Sequence, residues 1–175
     1  MKNIILVGFM GTGKTAAAKA FSETTGMPYF SSDELIEKRE GRAISEIFRE
    51  EGESYFRKIE KQVIEQLSGK GGQIIDAGGG VVLDEENIIN LKKNGIMISL
   101  WADPEVIYQR TKTSGERPIL NVPDPRKKIK ELLEHRKPFY EKADFHIDTT
   151  NLKVAEIVEK INEIARKGIK RNSPI

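Results

Sequence analysis

An apolar run ending in glycine, a loop of the form G-x-x-x-x-G-K-[ST] and an alanine-rich helical stretch open this chain, and no other feature restricts its fold as much. Lys2 to Gly8 is β-branched and apolar, Gly8-Phe9-Met10-Gly11-Thr12-Gly13-Lys14-Thr15 is the loop, and Lys14 to Thr25 is helical in pattern until Gly26 and Pro28. Glycines let backbone N–H groups converge on phosphate oxygens, and the following helix adds the positive end of its dipole. The flanking strand and helix separate such a P-loop from a glycine-rich turn that binds nothing. Gly11, Thr12, Gly13, Lys14, Thr15 and Ala16 are therefore expected to hold ATP, with Lys14 on the β- and γ-phosphates and Thr15 on Mg²⁺. A phosphotransferase is the reading that follows.

The alternation continues. A second strand region begins near Tyr29, with helical segments at Asp33 to Glu40 and Ser45 to Glu51. A longer helix from about Glu53 to Leu67 places Phe56, Ile59, Val63 and Leu67 on one face. Gln73 to Asp76 reads as a strand before Gly78-Gly79-Gly80, Asp84 to Lys93 as a helix and Ile96 to Trp101 as a strand. A helix starts at Pro104, Arg126 to Tyr140 is helical, Phe145 to Asp148 is a short strand, and Val154 to Arg166 is a closing amphipathic helix. Thr111 to Pro125 is polar and without period, and a loop of that length in a compact domain is usually functional. It reads as a mobile lid over about 111–125. The expected fold is a single-domain, three-layer α/β P-loop fold with a mainly parallel five-stranded sheet, whose ligands sit at the carboxyl ends of the strands. The domain is expected to cover 1–168, with 169–175 a flexible tail that frays from Gly168.

A chain of 175 residues supports one core without metals or disulfides, and it has no cysteine. With 29 basic and 27 acidic side chains the net charge is only +2, which supplies no broad field for nucleic acid. The apolar runs are far shorter than the ~20 residues that span a bilayer. No leading basic-then-apolar segment resembles a signal peptide. A cytoplasmic monomer acting on a small molecule, with neither nucleic acid nor membrane as partner, is expected. His135 and His146 stand far apart without ligand spacing, and Trp101 is expected to pack rather than to bind a base.

Several charged residues require a reason. Ile129, Leu132, Leu133 and Tyr140 form a helical stripe that includes position 136, so the Arg136 guanidinium falls where a core side chain was due. A charge there is costly unless paired, and a carboxylate suits it. Arg57 lies three residues before Glu60, and a solvent-exposed ion pair would explain it. Asp33 lies in a first helical turn, where Ser31 and Glu34 have capping-box spacing, and an acid there suits the dipole. The glycine triplet is either a tight turn or a place of close backbone approach to a ligand. Asp76, after two isoleucines, is either a turn-organising aspartate or a metal-site acid.

The phosphate loop is followed in order by Ser31-Ser32-Asp33-x-x-Ile36-Glu37, Gly41-Arg42-x-Ile44-x-Glu46-Ile47-Phe48, Phe56-Arg57-Lys58-x-Glu60, the glycine triplet and Arg117-Pro118-Ile119-Leu120. This succession resembles the shikimate kinases from about Ile4 to Asp148. The resemblance implies transfer of the ATP γ-phosphoryl group to the 3-hydroxyl of shikimate, in aromatic amino-acid biosynthesis. It also implies that Asp33 meets ring hydroxyls and takes the proton, that Arg57 and Arg136 clamp the carboxylate, and that Gly78, Gly79 and Gly80 contact shikimate. Arg117 corresponds to a lid arginine over the phosphates and Arg110 to an adenine-stacking position, although a helix-surface arginine explains Arg110 as well. One departure stands out. The family usually has Asp-x-Asp after its second strand, the first acid acting on Mg²⁺ through water, and this chain has Ser31 there; Asp76 is the candidate substitute.

Overall fold

The computed structural model of the chain describes residues 1–112, 120 and 122–170. Five strands, β1 (Asn3–Gly8), β2 (Tyr29–Ser31), β3 (Ile74–Asp76), β4 (Gly95–Trp101) and β5 (Phe145–Asp148), form one sheet in the order β2-β3-β1-β4-β5. All neighbouring pairs are parallel. The expected sheet is thus present with every strand running the same way, so all the strand ends that face a ligand lie on one edge.

Alternation along β1 divides the core. Ile4 and Leu6 point to one face, where α1 (Lys14–Thr25) and α8 (Val154–Lys170) bury Ala17, Ala18, Phe21, Ile157, Val158 and Ile161 against them. Ile5 and Val7 point to the other face. It is covered by α2 (Ser32–Glu40), α3 (Ile44–Glu50), α4 (Gly52–Ser68), α5 (Glu85–Lys93) and α7 (Pro125–Tyr140). A strand covered on both sides reads as a continuous apolar run, which is why β1 and β4 were plain in the sequence. The remaining helix, α6 (Pro104–Thr111), begins at Pro104, with the Asp103 side chain accepting from the Glu105 N–H.

Two expectations change at the edges. The last helix continues past Arg166 to Lys170, and Gly168, where fraying was expected to begin, is buried at a spot where a Cβ would overlap Ile96, so helix-to-sheet packing reaches that residue. Trp101 is 44 % exposed although the rest of β4 is buried, because its strand has reached the open edge of the sheet.

The packing of α8 can be tested at Ile161, which is 0 % exposed. Ile161→Ala is expected to lower the unfolding free energy by about 2 to 5 kcal/mol, the range for emptying a core isoleucine site. Urea denaturation checks this; a change below about 0.5 kcal/mol, typical of surface substitutions, would mean that α8 is not part of the cooperative core.

Candidate active site

The phosphate loop leaves β1 at Gly8, where φ is 140° and a Cβ would collide with the Leu100 carbonyl oxygen on β4. Only glycine passes this point, and the loop is thereby seated on the sheet edge. Gly11 and Gly13 also have positive φ, and Gly13 leads directly into α1. The Lys14 ammonium donates to the Gly8 and Phe9 carbonyls at 2.8 and 3.2 Å, so it curls over the loop. The Thr15 hydroxyl, in the first turn of α1, donates to Asp76 Oδ2 at the end of β3 at 2.5 Å.

The acceptor side is organised by the turn after β3. Each glycine of the triplet lies against one charged side chain that the sequence singled out. A Cβ on Gly78 would overlap the Asp33 carboxylate, and one on Gly80 would lie 2.5 Å from Arg57 Nη1. At Gly79 the carbonyl accepts from Arg136 Nη1 at 3.4 Å and from the Tyr140 hydroxyl at 2.7 Å. A Cβ there would lie 3.4 Å from the Gly8 carbonyl oxygen and 3.9 Å from the Met10 nitrogen, so the turn packs on the phosphate loop itself. The triplet thus joins three charged groups from α2, α4 and α7 to the loop that would hold a phosphate donor.

Comparison with known proteins gives this geometry a lineage. A family model described as "Shikimate kinase" matches residues 10–166. A shikimate kinase of Thermodesulfovibrio yellowstonii is 50 % identical over 161 residues, covering 92 % of this chain and 93 % of its own. The chain belongs to the shikimate kinase family. Among solved structures, a shikimate kinase from Acinetobacter baumannii in complex with shikimate superposes with a TM-score of 0.91 at 34 % identity, over 96 % of this chain and 94 % of that one. A gluconokinase from Sinorhizobium meliloti, with a TM-score of 0.58 and 14 % identity over 98 % of each chain, shares the fold alone.

The charged groups differ in how they are held. Arg136 is 8 % exposed, as the helical stripe required, with its guanidinium 5.6 Å from the centre of the Phe9 ring. Among the described residues no acidic side chain forms an ion pair with it, and its hydrogen-bond partner is the Gly79 carbonyl. Arg57 is different. It is paired with Glu60 at 2.8 Å and with Glu53 at 3.1 Å. Glu60 is 1 % exposed, so this is not the solvent-exposed pair that the spacing suggested. Burial raises the Glu60 carboxyl to about 6 in spite of Arg57, with Asp33 and Asp84 also pushing it up.

Asp33 stands in the first turn of α2, but Ser31 is the cap, its side chain accepting from the Glu34 N–H. The cap of α2 is thus Ser31, with Asp33 and Glu34 as the acids of its first turn. Burial raises the Asp33 carboxyl above its usual range, Lys14 opposes the shift and Asp76 adds to it. Asp76 is raised for the same leading reason, with Lys14 and the Thr15 hydroxyl opposing. Among the described residues no group of three or more His, Cys, Asp or Glu could hold a metal. One hydroxyl with one acid beside a phosphate loop still suits Mg²⁺, which keeps several waters and takes its other oxygens from substrate phosphates.

Other residues act as braces that sequence reasoning passed over. The Ser32 hydroxyl accepts from the Gly78 N–H at 2.8 Å and is 0 % exposed, tying α2 to the triplet. Thr149, just past β5, donates to the Thr12 carbonyl at 2.8 Å from a fully buried position. Arg110 donates to the Gly11 carbonyl at 3.2 Å and to the Thr149 carbonyl at 3.0 Å, so it braces the phosphate loop rather than lying loose on α6. A threonine directly after a strand end was the only available signal for Thr149. Arg117, with most of the expected lid, lies outside the described residues.

The buried Glu60 makes a pH prediction. A carboxyl group whose folded value is raised binds a proton in the folded state that the unfolded chain has lost, so stability falls as pH rises from the ordinary 4.5 through about 6. Glu60→Gln is expected to remove about 1 to 2 kcal/mol of that fall. Chemical denaturation of both proteins from pH 4.5 to 7 checks it; parallel profiles would show that Glu60 does not titrate in this window.

Proposed function

We propose that this chain transfers the γ-phosphoryl group of ATP to the 3-hydroxyl of shikimate, giving shikimate 3-phosphate and ADP in aromatic amino-acid biosynthesis. The observation that carries this reading is the glycine triplet, against which Asp33, Arg57 and Arg136 lie one to each glycine and beside the phosphate loop. Two guanidinium groups and one carboxylate suit a small polyhydroxy acid: the arginines pair with its carboxylate and Asp33 accepts from its hydroxyls. Of the two arginines, Arg136 has no acidic partner among the described residues, so the substrate carboxylate falls chiefly to it.

Loop backbone N–H groups and Lys14 hold the donor phosphates, while the triplet sets the acceptor hydroxyl against them. Positioning and charge compensation then supply most of the rate, as in phosphoryl transfer generally. Asp33 takes the proton, and its raised affinity for protons makes it a better base than an exposed aspartate. Thr15 and Asp76 are the residues that would hold Mg²⁺, which when bound neutralises charge across the β- and γ-phosphate oxygens. Arg117 joins this reading through the family resemblance alone.

ADP release measured against shikimate, quinate, gluconate and nucleoside monophosphates is expected to require shikimate. Turnover with gluconate or a nucleotide in its place would identify a different kinase of this fold, and ATP hydrolysis indifferent to every acceptor would favour a regulatory module.

Arg136→Ala is expected to weaken shikimate binding by about 2 to 5 kcal/mol, the cost of truncating one member of a buried charge pair, while ATP binding changes little. Calorimetric titration of each ligand separates the two. Equal losses would contradict a carboxylate clamp.

A further inference from the structure

We propose that in this chain the acid that orients magnesium-bound water has crossed from β2 to β3, so that Asp76 does the work at a level where Ser31 brings only a hydroxyl. The inference deepens the phosphotransferase reading above and rests on it. Ser31 and Asp76 are register partners on adjacent parallel strands. Parallel partners stand about 4.8 Å apart and send their side chains to the same face of the sheet. The two positions are therefore alternative anchors for one negative charge beside the phosphate loop.

The hydrogen bonds assign that charge. Ser31 Oγ accepts from the Glu34 N–H at 3.3 Å as the cap of α2. Asp76 instead receives the Thr15 hydroxyl at 2.5 Å. With its proton directed at Asp76, the Thr15 oxygen keeps its lone pairs for a cation on the loop side. Asp76 is 6 % exposed, and although burial raises its carboxyl, Lys14 and the Thr15 hydroxyl favour its charged form.

An independent observation lies on the same face of β2. Tyr29 precedes Ser31 by one strand period, and its hydroxyl is out of solvent with the Ser31 side chain as the hydrogen-bonding group beside it. Asp76, Glu34 and Asp33 are near enough to act on it through space. A buried hydroxyl with a serine and several acids around it fits a place where water completes the contacts. Water in that position is what an outer coordination shell of Mg²⁺ requires.

The test needs no shikimate, so a wrong acceptor would not affect it. Mn²⁺ is the probe, and its uptake by the protein with ADP bound is followed through the electron paramagnetic resonance signal of free Mn²⁺. Asp76→Asn and Asp76→Ser are expected to weaken Mn²⁺ binding by roughly 10- to 100-fold, the usual effect of losing such a partner. Calorimetry in EDTA should show metal-free ADP binding unchanged. The exchange Ser31→Asp with Asp76→Ser is expected to recover most of the lost Mn²⁺ affinity, since aspartate also caps helices well and α2 keeps its start. Circular dichroism confirms that each variant is folded. Unaltered Mn²⁺ affinity in Asp76→Asn would overturn the proposal, as would a double exchange no better than Asp76→Ser alone.

Discussion

Parallel pairing holds Ser31 beside Asp76 and Asp76 beside Leu6, so three strands present their carboxyl ends at one level of the sheet. The site depends on that alignment. From this level β1 continues to Gly8 and turns into the phosphate loop, β2 turns into the capped start of α2, and β3 turns into the glycine triplet. Rotating or slipping one strand by a residue would reverse its faces and remove a charged group from the edge.

The site gathers charges of both signs, with Glu60, Asp76 and Arg136 buried and Lys14, Asp33 and Arg57 half-buried. Desolvation is the leading cause of the raised carboxyl values at Asp33, Glu60 and Asp76. Mutual pairing offsets the cost for Arg57 and Glu60. Among the described residues Arg136 has the Gly79 carbonyl, the Tyr140 hydroxyl and the Phe9 ring. Such an arrangement does not favour folding by itself, and the cores on both faces of the sheet make it tolerable. A buried arginine with no acidic ion-pair partner among the described residues is well prepared for an anionic ligand, because little ordering remains to be done on binding.

Much of this was legible in the sequence because local physics decided it. Strands buried on both faces appear as unbroken apolar runs, and the phosphate loop is specified by glycines whose backbone angles other residues rarely adopt. The Arg136 position could be read from helical spacing, since a charge interrupting an apolar stripe marks itself. The alternative of a solvent-exposed pair for Arg57 and Glu60 could not be decided from spacing, which reveals a neighbour but not the depth of the pair. Ser32, Thr149 and the bracing role of Arg110 went unread for a similar reason. Each bonds to backbone atoms of a segment distant along the chain, and a backbone carbonyl carries no sequence signal.

The sequence by itself determined the order of strands and helices, the phosphate loop, and the set of charged side chains that needed partners. Each of these follows from backbone preference, apolar periodicity or the cost of an unpaired charge, which act over a few residues or within one helix. Only the tertiary structure decided which charged group lies against which glycine, that Asp76 stands level with Ser31 and receives Thr15, and that α8 packs on the sheet beyond Arg166. Those are matters of strand register and helix docking. They arise when segments far apart in the chain bury their faces together, and no single segment specifies them.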